Sequence, residues 1–175
     1  MISLVDRIVA IAEALDAAQV PWAFGGAFAL AYATEEPRGT RDIDVNVFVA
    51  TEHAAGVFAA LPRSVGHGEA DVSAAERDGQ VRLWWDDTPV DIFFAESPFH
   101  HDVDRRCRVV PFAGRTVRIL SAEDLAVFKA MFDRPKDWVD IATMAESHAV
   151  DLAVTAERLR ALLGDDARVG RLQAI

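Results

Sequence analysis

Basic charge is scarce in this chain of 175 residues: 18 Lys and Arg stand against 28 Asp and Glu, a formal net charge of −10. That balance opposes indiscriminate binding to nucleic acid, whose affinity comes mainly from Lys and Arg neutralising phosphates. Lysine is nearly absent, occurring only as Lys129 and Lys136. Cysteine occurs once, as Cys107, which excludes an internal disulfide and leaves a plain core or edge thiol as its expected state. No apolar stretch reaches the roughly 18 residues of a membrane span, and no basic-then-apolar leader opens the chain, so no membrane partner and a cytoplasmic location are expected. Repeats, low-complexity tracts and long linkers are missing too, while 51% hydrophobic residues suffice for one sizeable core.

What is present is concentrated near Gly25-Gly26 and Asp42-Ile43-Asp44. The glycines stand between a short apolar run, Pro21 to Phe24, and the helix-forming segment from Ala27 to Tyr32. A helix N-terminus offers unpaired N–H groups and partial positive charge, and glycine there lets a triphosphate approach the backbone. Side chains alternate faces along a strand, so Asp42 and Asp44 share one face, roughly 6.6 Å apart. Ile43, Val45, Val47 and Val49 take the opposite parity and are apolar, which assigns them to the core and turns both aspartates outward. Two carboxylates on one face suit a hard divalent cation, Mg²⁺ or Mn²⁺.

A third carboxylate is available. Val81 to Trp85 and Pro89 to Phe94 read as a hairpin around Asp86-Asp87-Thr88. Val90, Ile92 and Phe94 form its apolar face, and Asp91 lies on the other, as a third metal ligand would.

The run GGAFALAYATEEPRGTRDIDVNVFV resembles the core signature of the nucleotidyltransferase superfamily, the polymerase β-like fold, in the form found in AbiEii-type and MenT-like toxins. The resemblance rests on Gly25-Gly26, on Arg38, Thr40, Asp42 and Asp44, and on Lys129 followed by Arg134-Pro135-Lys136-Asp137. Many members carry Gly-Ser where this chain has Gly-Gly. The resemblance implies transfer of a nucleoside monophosphate from a nucleoside triphosphate to an acceptor hydroxyl, with release of pyrophosphate. Asp42, Asp44 and Asp91 would hold the metal, Asp91 would also take the acceptor proton, and Lys129 would join them in catalysis. Gly25, Gly26, Arg38, Thr40, Lys129 and Lys136 would bind nucleotide, with Asp137 and Asp140 in support. A toxin acting on the tRNA 3′ end and paired with an antitoxin protein is what the family implies. A small-molecule adenylyltransferase acting on an antibiotic and a non-catalytic binding module of the same fold are the alternatives.

Elsewhere the periodicities describe an α+β protein: a mixed β-sheet backed by helices, with a core over 1–120 and a C-terminal helical region over 121–175. Leu4, Ile8, Ile11 and Leu15 mark a first helix, and Thr51 to Leu61 a helix capped by Thr51. Residues 62–80 read as a loop with a short strand. Cys107 to Phe112 and Thr116 to Leu120 read as a second hairpin. Ser121 and Asp124 have capping-box spacing, and Pro135 suits a helix's first turn, which places Lys129 on one helix and Lys136 on the next. Lys136 and Asp140 have the spacing of a surface ion pair on that helix. His100-His101-Asp102 lacks partners at zinc-site spacing and is expected on a solvated loop. Of Trp84 and Trp85, one indole is expected in the core and one outside. Arg105, Arg106, Arg108, Arg115 and Arg118 fall on the second hairpin, where two readings stand level: a basic strip beside the site or an ordinary exposed hairpin.

Overall fold

A computed structural model describes residues 2–36, 39–95 and 97–175. Seven strands form one mixed sheet in the order β3-β4-β5-β2-β1-β7-β6. They are β1 (Trp22–Phe24), β2 (Ile43–Val47), β3 (Val65–Gly66), β4 (Gln80–Trp85), β5 (Thr88–Phe94), β6 (Arg108–Phe112) and β7 (Arg115–Ile119). The helices are α1 (Leu4–Ala17), α2 (Gly26–Thr34), α3 (Ala54–Ala60), α4 (Glu69–Asp78), α5 (Pro98–Arg106), α6 (Ala122–Phe132), α7 (Pro135–Glu146), α8 (Leu152–Leu163) and α9 (Ala167–Gln173). This is the expected α+β class, although helices also alternate with the early strands.

Parity decides the sheet's faces. Ile43, Val45 and Val47 of β2 and Val90, Ile92 and Phe94 of β5 are buried, and their neighbours Asp44, Asp91 and Phe93 are only partly so. The two strands run parallel with Asp44 opposite Asp91. On the other side of β2, β1 is antiparallel, and β1 in turn pairs parallel to β7 through Phe24 and Ile119. Helix α1 starts with a capping box between Ser3 and Asp6 and buries Ile8, Ile11 and Leu15. Its Arg7, itself buried, reaches the β4–β5 turn at Asp86 (3.0 Å) and Asp87 (3.2 Å) and so fixes the hairpin's tip. Helices α6 and α7 pack on α2 and close the same side of the sheet as its acidic face.

Several local expectations are corrected. The interval 62–80 contains the short strand β3 but also α4, whose sequence EADVSAAERD buries only Ala75 fully and so carries no apolar stripe. It is bounded by glycines instead: Gly68 precedes it and Gly79 ends it at φ 69°. Thr51 does not cap a continuous helix, since Thr51–His53 is a 3₁₀ turn that leads into α3. His100-His101-Asp102 lies within α5, a polar helix with Pro98 in its first turn and only Val103 buried. Arg105 and Arg106 belong to that helix rather than to the β6–β7 hairpin, and Cys107 ends it. The tryptophans divide as expected, Trp85 in the core and Trp84 half exposed. Ser121 accepts from the Asp124 N–H, and Pro135 opens α7. Among the described residues no helix is long and apolar enough to cross a membrane.

Candidate active site

Sheet register writes the site as a row across three strands. Arg82 of β4 stands opposite Asp91 of β5, and Asp91 stands opposite Asp44 of β2. Neighbouring strands lie about 4.8 Å apart, so the row brings cation, carboxylate and carboxylate into one line. Next along the sheet, the Gly25 N–H donates to the Asp44 carbonyl at 2.9 Å, which lowers the start of α2 onto the acidic strand. Gly26 is then sterically required, and Gly25 is tightly packed. A Cβ on Gly26 would fall 1.8 Å from Asp44 Oδ2, at a φ of +51° that side chains rarely adopt. A Cβ on Gly25 would fall 2.7 Å from Asn46 Nδ2. No side chain caps α2, so its N-terminus faces the cleft with amide groups open to an anion.

That cleft encloses about 1090 Å³ and is lined by Gly26, Thr40, Asp42, Asp44, Asp91, Lys129, Lys136, Asp137 and Asp140. The structure therefore brings together every nucleotide, metal and supporting residue expected from the sequence except two: Gly25, which lies directly behind the lining, and Arg38, which falls outside the described residues. Thr40 faces inward within the chain: its hydroxyl donates to Asp42 Oδ1 in a short hydrogen bond and orients that carboxylate. Lys129, buried on α6, contacts Asp140 at 2.7 Å and Asp137 at 3.7 Å. Asp137, fully buried, also receives the fork of Arg134 at 2.6 and 3.1 Å. Burial alone would push the Asp137 carboxyl up, but Arg134 and Lys129 together hold it below the ordinary carboxylate range. The spacing of Lys136 and Asp140 allows an ion pair on α7, but Asp140 pairs with Lys129 across the α6–α7 corner. Lys136 is exposed, lines the cleft and has no ion-pair partner among the described residues.

Asp44 carries the electrostatic signature of the site. Burial, then the charges of Asp42 and Asp91, push its carboxyl up to about 6, with Lys129 and Lys136 opposing the rise. A carboxylate pressed this way by two like charges suits a bound cation, which would relieve the repulsion. Among the described residues no group of three His, Cys, Asp or Glu side chains is disposed to hold a metal ion. The reason is local: Asp91 gives both oxygens to Arg82 at 2.7 Å each, and Asp42 is engaged by Thr40. Three oxygen donors of the right chemistry thus line one cleft, with the third turned to an arginine.

Arg82, Asn46 and the aromatic wall of Phe93, Phe128 and Phe132 were not singled out from the sequence. Arg82 was within reach: a two-residue turn at Asp86-Asp87 sets Trp85 opposite Thr88, and counting back places Arg82 opposite Asp91. The basic strip does not form. Arg106 forks Asp124 at 2.9 and 2.8 Å, Arg118 meets Asp104 at 2.8 Å, Arg115 meets Glu13 at 2.6 Å and Arg105 pairs with Asp102. None of these arginines, nor Arg108, lines the cleft. The Cys107 thiol, pushed up to about 12 by burial, matches the plain thiol expected.

Comparison with known proteins agrees with this architecture. The antibiotic-resistance factor ANT(2'')-Ia, seen in solution, superposes with a TM-score of 0.56 at 21% identity, over 97% of this chain and 89% of that one. The lincosamide antibiotic adenylyltransferase LnuA, with lincomycin bound, gives 0.55 at 16% identity, over 79% of this chain and 94% of that one. A nucleotidyltransferase-like protein from Paracoccidioides brasiliensis gives 0.52 at 15% identity, over 95% and 90%. At such identities these likenesses establish the nucleotidyltransferase fold. No curated protein matches the chain in sequence. The family model of the nucleotidyl transferase AbiEii toxins matches residues 9–174, and the chain belongs to that family of type IV toxin–antitoxin systems.

Proposed function

We propose that this nucleotidyltransferase joins a nucleoside monophosphate from a nucleoside triphosphate to a hydroxyl at the tRNA 3′ end, in a reaction that depends on Mg²⁺ or Mn²⁺. One observation carries the catalytic reading: the uncapped start of α2 rests on Asp44 inside a cleft shared with Asp42, Asp91 and Lys136. The β- and γ-phosphates would lie against the α2 amides at Gly26, with exposed Lys136 as a counter-charge and Lys129 held by Asp140. The acceptor oxygen forms its bond to the α-phosphorus as the bond to the bridging oxygen breaks, and pyrophosphate leaves with that electron pair. Asp91 takes the acceptor proton. Asp42, Asp44 and Asp91 would hold a divalent cation, which would supply stabilisation of the charge that develops during transfer.

The tRNA acceptor and a cognate antitoxin are supported by membership of a toxin family. A small-molecule hydroxyl is the second reading, favoured by the arginines that a basic strip would have turned to RNA and that are instead paired within the chain. Incubation with each labelled triphosphate, Mg²⁺ and either total tRNA or purified aminoglycosides and lincosamides distinguishes the two. Label on tRNA, lost with EDTA and in Asp44→Asn, is the expected result. Label on a drug alone overturns the RNA acceptor and leaves the transfer chemistry standing; label on neither overturns the proposal.

A further inference from the structure

Arg82 lines the cleft and reaches Asp91 from the neighbouring strand. It stands in direct cross-strand register with Asp91 and closes a bidentate fork on it, Nε to Oδ1 and Nη2 to Oδ2, both at 2.7 Å. The two partners differ in freedom: the Asp91 side chain is 14% exposed and the Arg82 side chain 52%. Such a pair braces the sheet, as opposite charges set directly across two strands do, but this one also lines the cleft. Arg82 shares that cleft with Asp42 and Asp44 as well as Asp91, so its positive charge stands beside the carboxylates a metal cation would use.

We propose that Arg82 is a positioning residue that holds Asp91 in reserve, turned from Asp42 and Asp44, and yields it when the cation and triphosphate enter the cleft. The proposal rests on the nucleotidyl-transfer reading above. Its physical basis is competition for the same lone pairs. A forked guanidinium takes one from each Asp91 oxygen, and a divalent ion needs at least one of them back. Arg82, half exposed on a long stem, is the partner able to swing away; Asp91, on a central strand, is not. Until then the fork keeps two of the three carboxylates from facing each other as bare charges. It also keeps a proton acceptor occupied while no acceptor hydroxyl is aligned.

Mn²⁺ binding, measured calorimetrically with a non-hydrolysable triphosphate and no acceptor, tests this without reading turnover. Arg82→Met should tighten Mn²⁺ by about fivefold, the scale of a well-formed ion pair at a half-exposed site. Loss of a nearby positive charge would also tighten a cation through space, so two further variants are needed. Arg82→Lys keeps the charge and loses the fork, and should retain part of the gain. Asp91→Asn combined with Arg82→Met should show only the smaller, through-space part of that gain over Asp91→Asn alone. An unchanged Mn²⁺ affinity in Arg82→Met, or an equal gain with and without the Asp91 carboxylate, overturns the positioning role. Wild-type protein that binds no Mn²⁺ with or without triphosphate overturns the metal-dependent reading itself, and the role of Arg82 with it.

Discussion

Neutralising Asp44 should stabilise the metal-free protein while it removes activity. The Asp44 carboxyl is pushed from 3.8 to about 6 by burial and by Asp42 and Asp91. The folded state therefore binds its proton more tightly than the unfolded state does. Unfolding free energy falls as pH rises from about 4 to about 6 and stays lowered above that, because the charged form is the disfavoured one. The displacement corresponds to at most about 3 kcal/mol at neutral pH, and about 2 kcal/mol once solvent screening at a partly open cleft is allowed for. Asp44→Asn keeps the shape and removes the charge. At pH 7.5 in EDTA it should melt about 4–8 °C above wild type, given the usual 2–4 °C per kcal/mol for a domain of this size. At pH 5 the gap should shrink to about half, since wild-type Asp44 is then largely protonated when folded. Saturating Mn²⁺ should raise the wild-type midpoint and leave the variant's in place. Paired thermal melts at the two pH values, with and without metal, read all of this. A variant that melts at or below wild type at pH 7.5, or a gain that is equal at pH 5, refutes the argument that like-charge crowding and burial strain this carboxylate.

Three other outcomes follow from the geometry. Gly26→Ala places a Cβ where Asp44 Oδ2 now lies and at a strained φ, so it should cost about 2 kcal/mol or more in urea unfolding and abolish triphosphate binding; a stable, active variant would remove the close approach of α2 and β2 from the account. Lys136→Ala should weaken triphosphate binding about tenfold in a filter or calorimetric assay, whereas Arg160→Ala, exposed on α8, should leave it unchanged, and equal effects would return Lys136 to a solvated surface charge. Asp124, fully buried between Arg106 (2.8 Å) and Arg158 (3.0 Å), joins α5, α6 and α8, and Asp124→Ala should lower unfolding free energy by about 3–5 kcal/mol because it strands two arginines; a loss below 1 kcal/mol would contradict that.

Legibility in the sequence followed the number of independent constraints on each residue. Asp42, Asp44 and Asp91 were readable because their strands carry apolar neighbours of the opposite parity, which sets the face each acid must take. Gly26 was readable as a turn, but its steric necessity was not, since Asp44 meets it only through β1–β2 pairing. Helices α4 and α5 escaped notice because each buries a single residue fully and so lacks the stripe that periodicity detects. The arginines failed for another reason. Their partners Asp104, Asp124 and Glu13 lie on other helices, and no local pattern announces a pairing made by packing. Helical spacing offers Asp140 to Lys136 as an ion-pair partner, while the α6–α7 corner, which no local pattern announces, pairs it with Lys129.

The parallel pairing of β2 with β5 and of β1 with β7 has a consequence for the birth of the enzyme. Gly26 and Asp44 emerge from the ribosome early, Asp91 later, and Lys129 and Lys136 later still, behind the Ile119 that pairs with Phe24 in the neighbouring strand. Such distant contacts are gained late in folding, because loop closure must be met before they reward the chain. A nascent chain that has not reached β7 therefore has no cleft wall from α6 or α7 and no lysine to meet a phosphate. Synthesis itself therefore delays completion of the cleft until β7, α6 and α7 have been made.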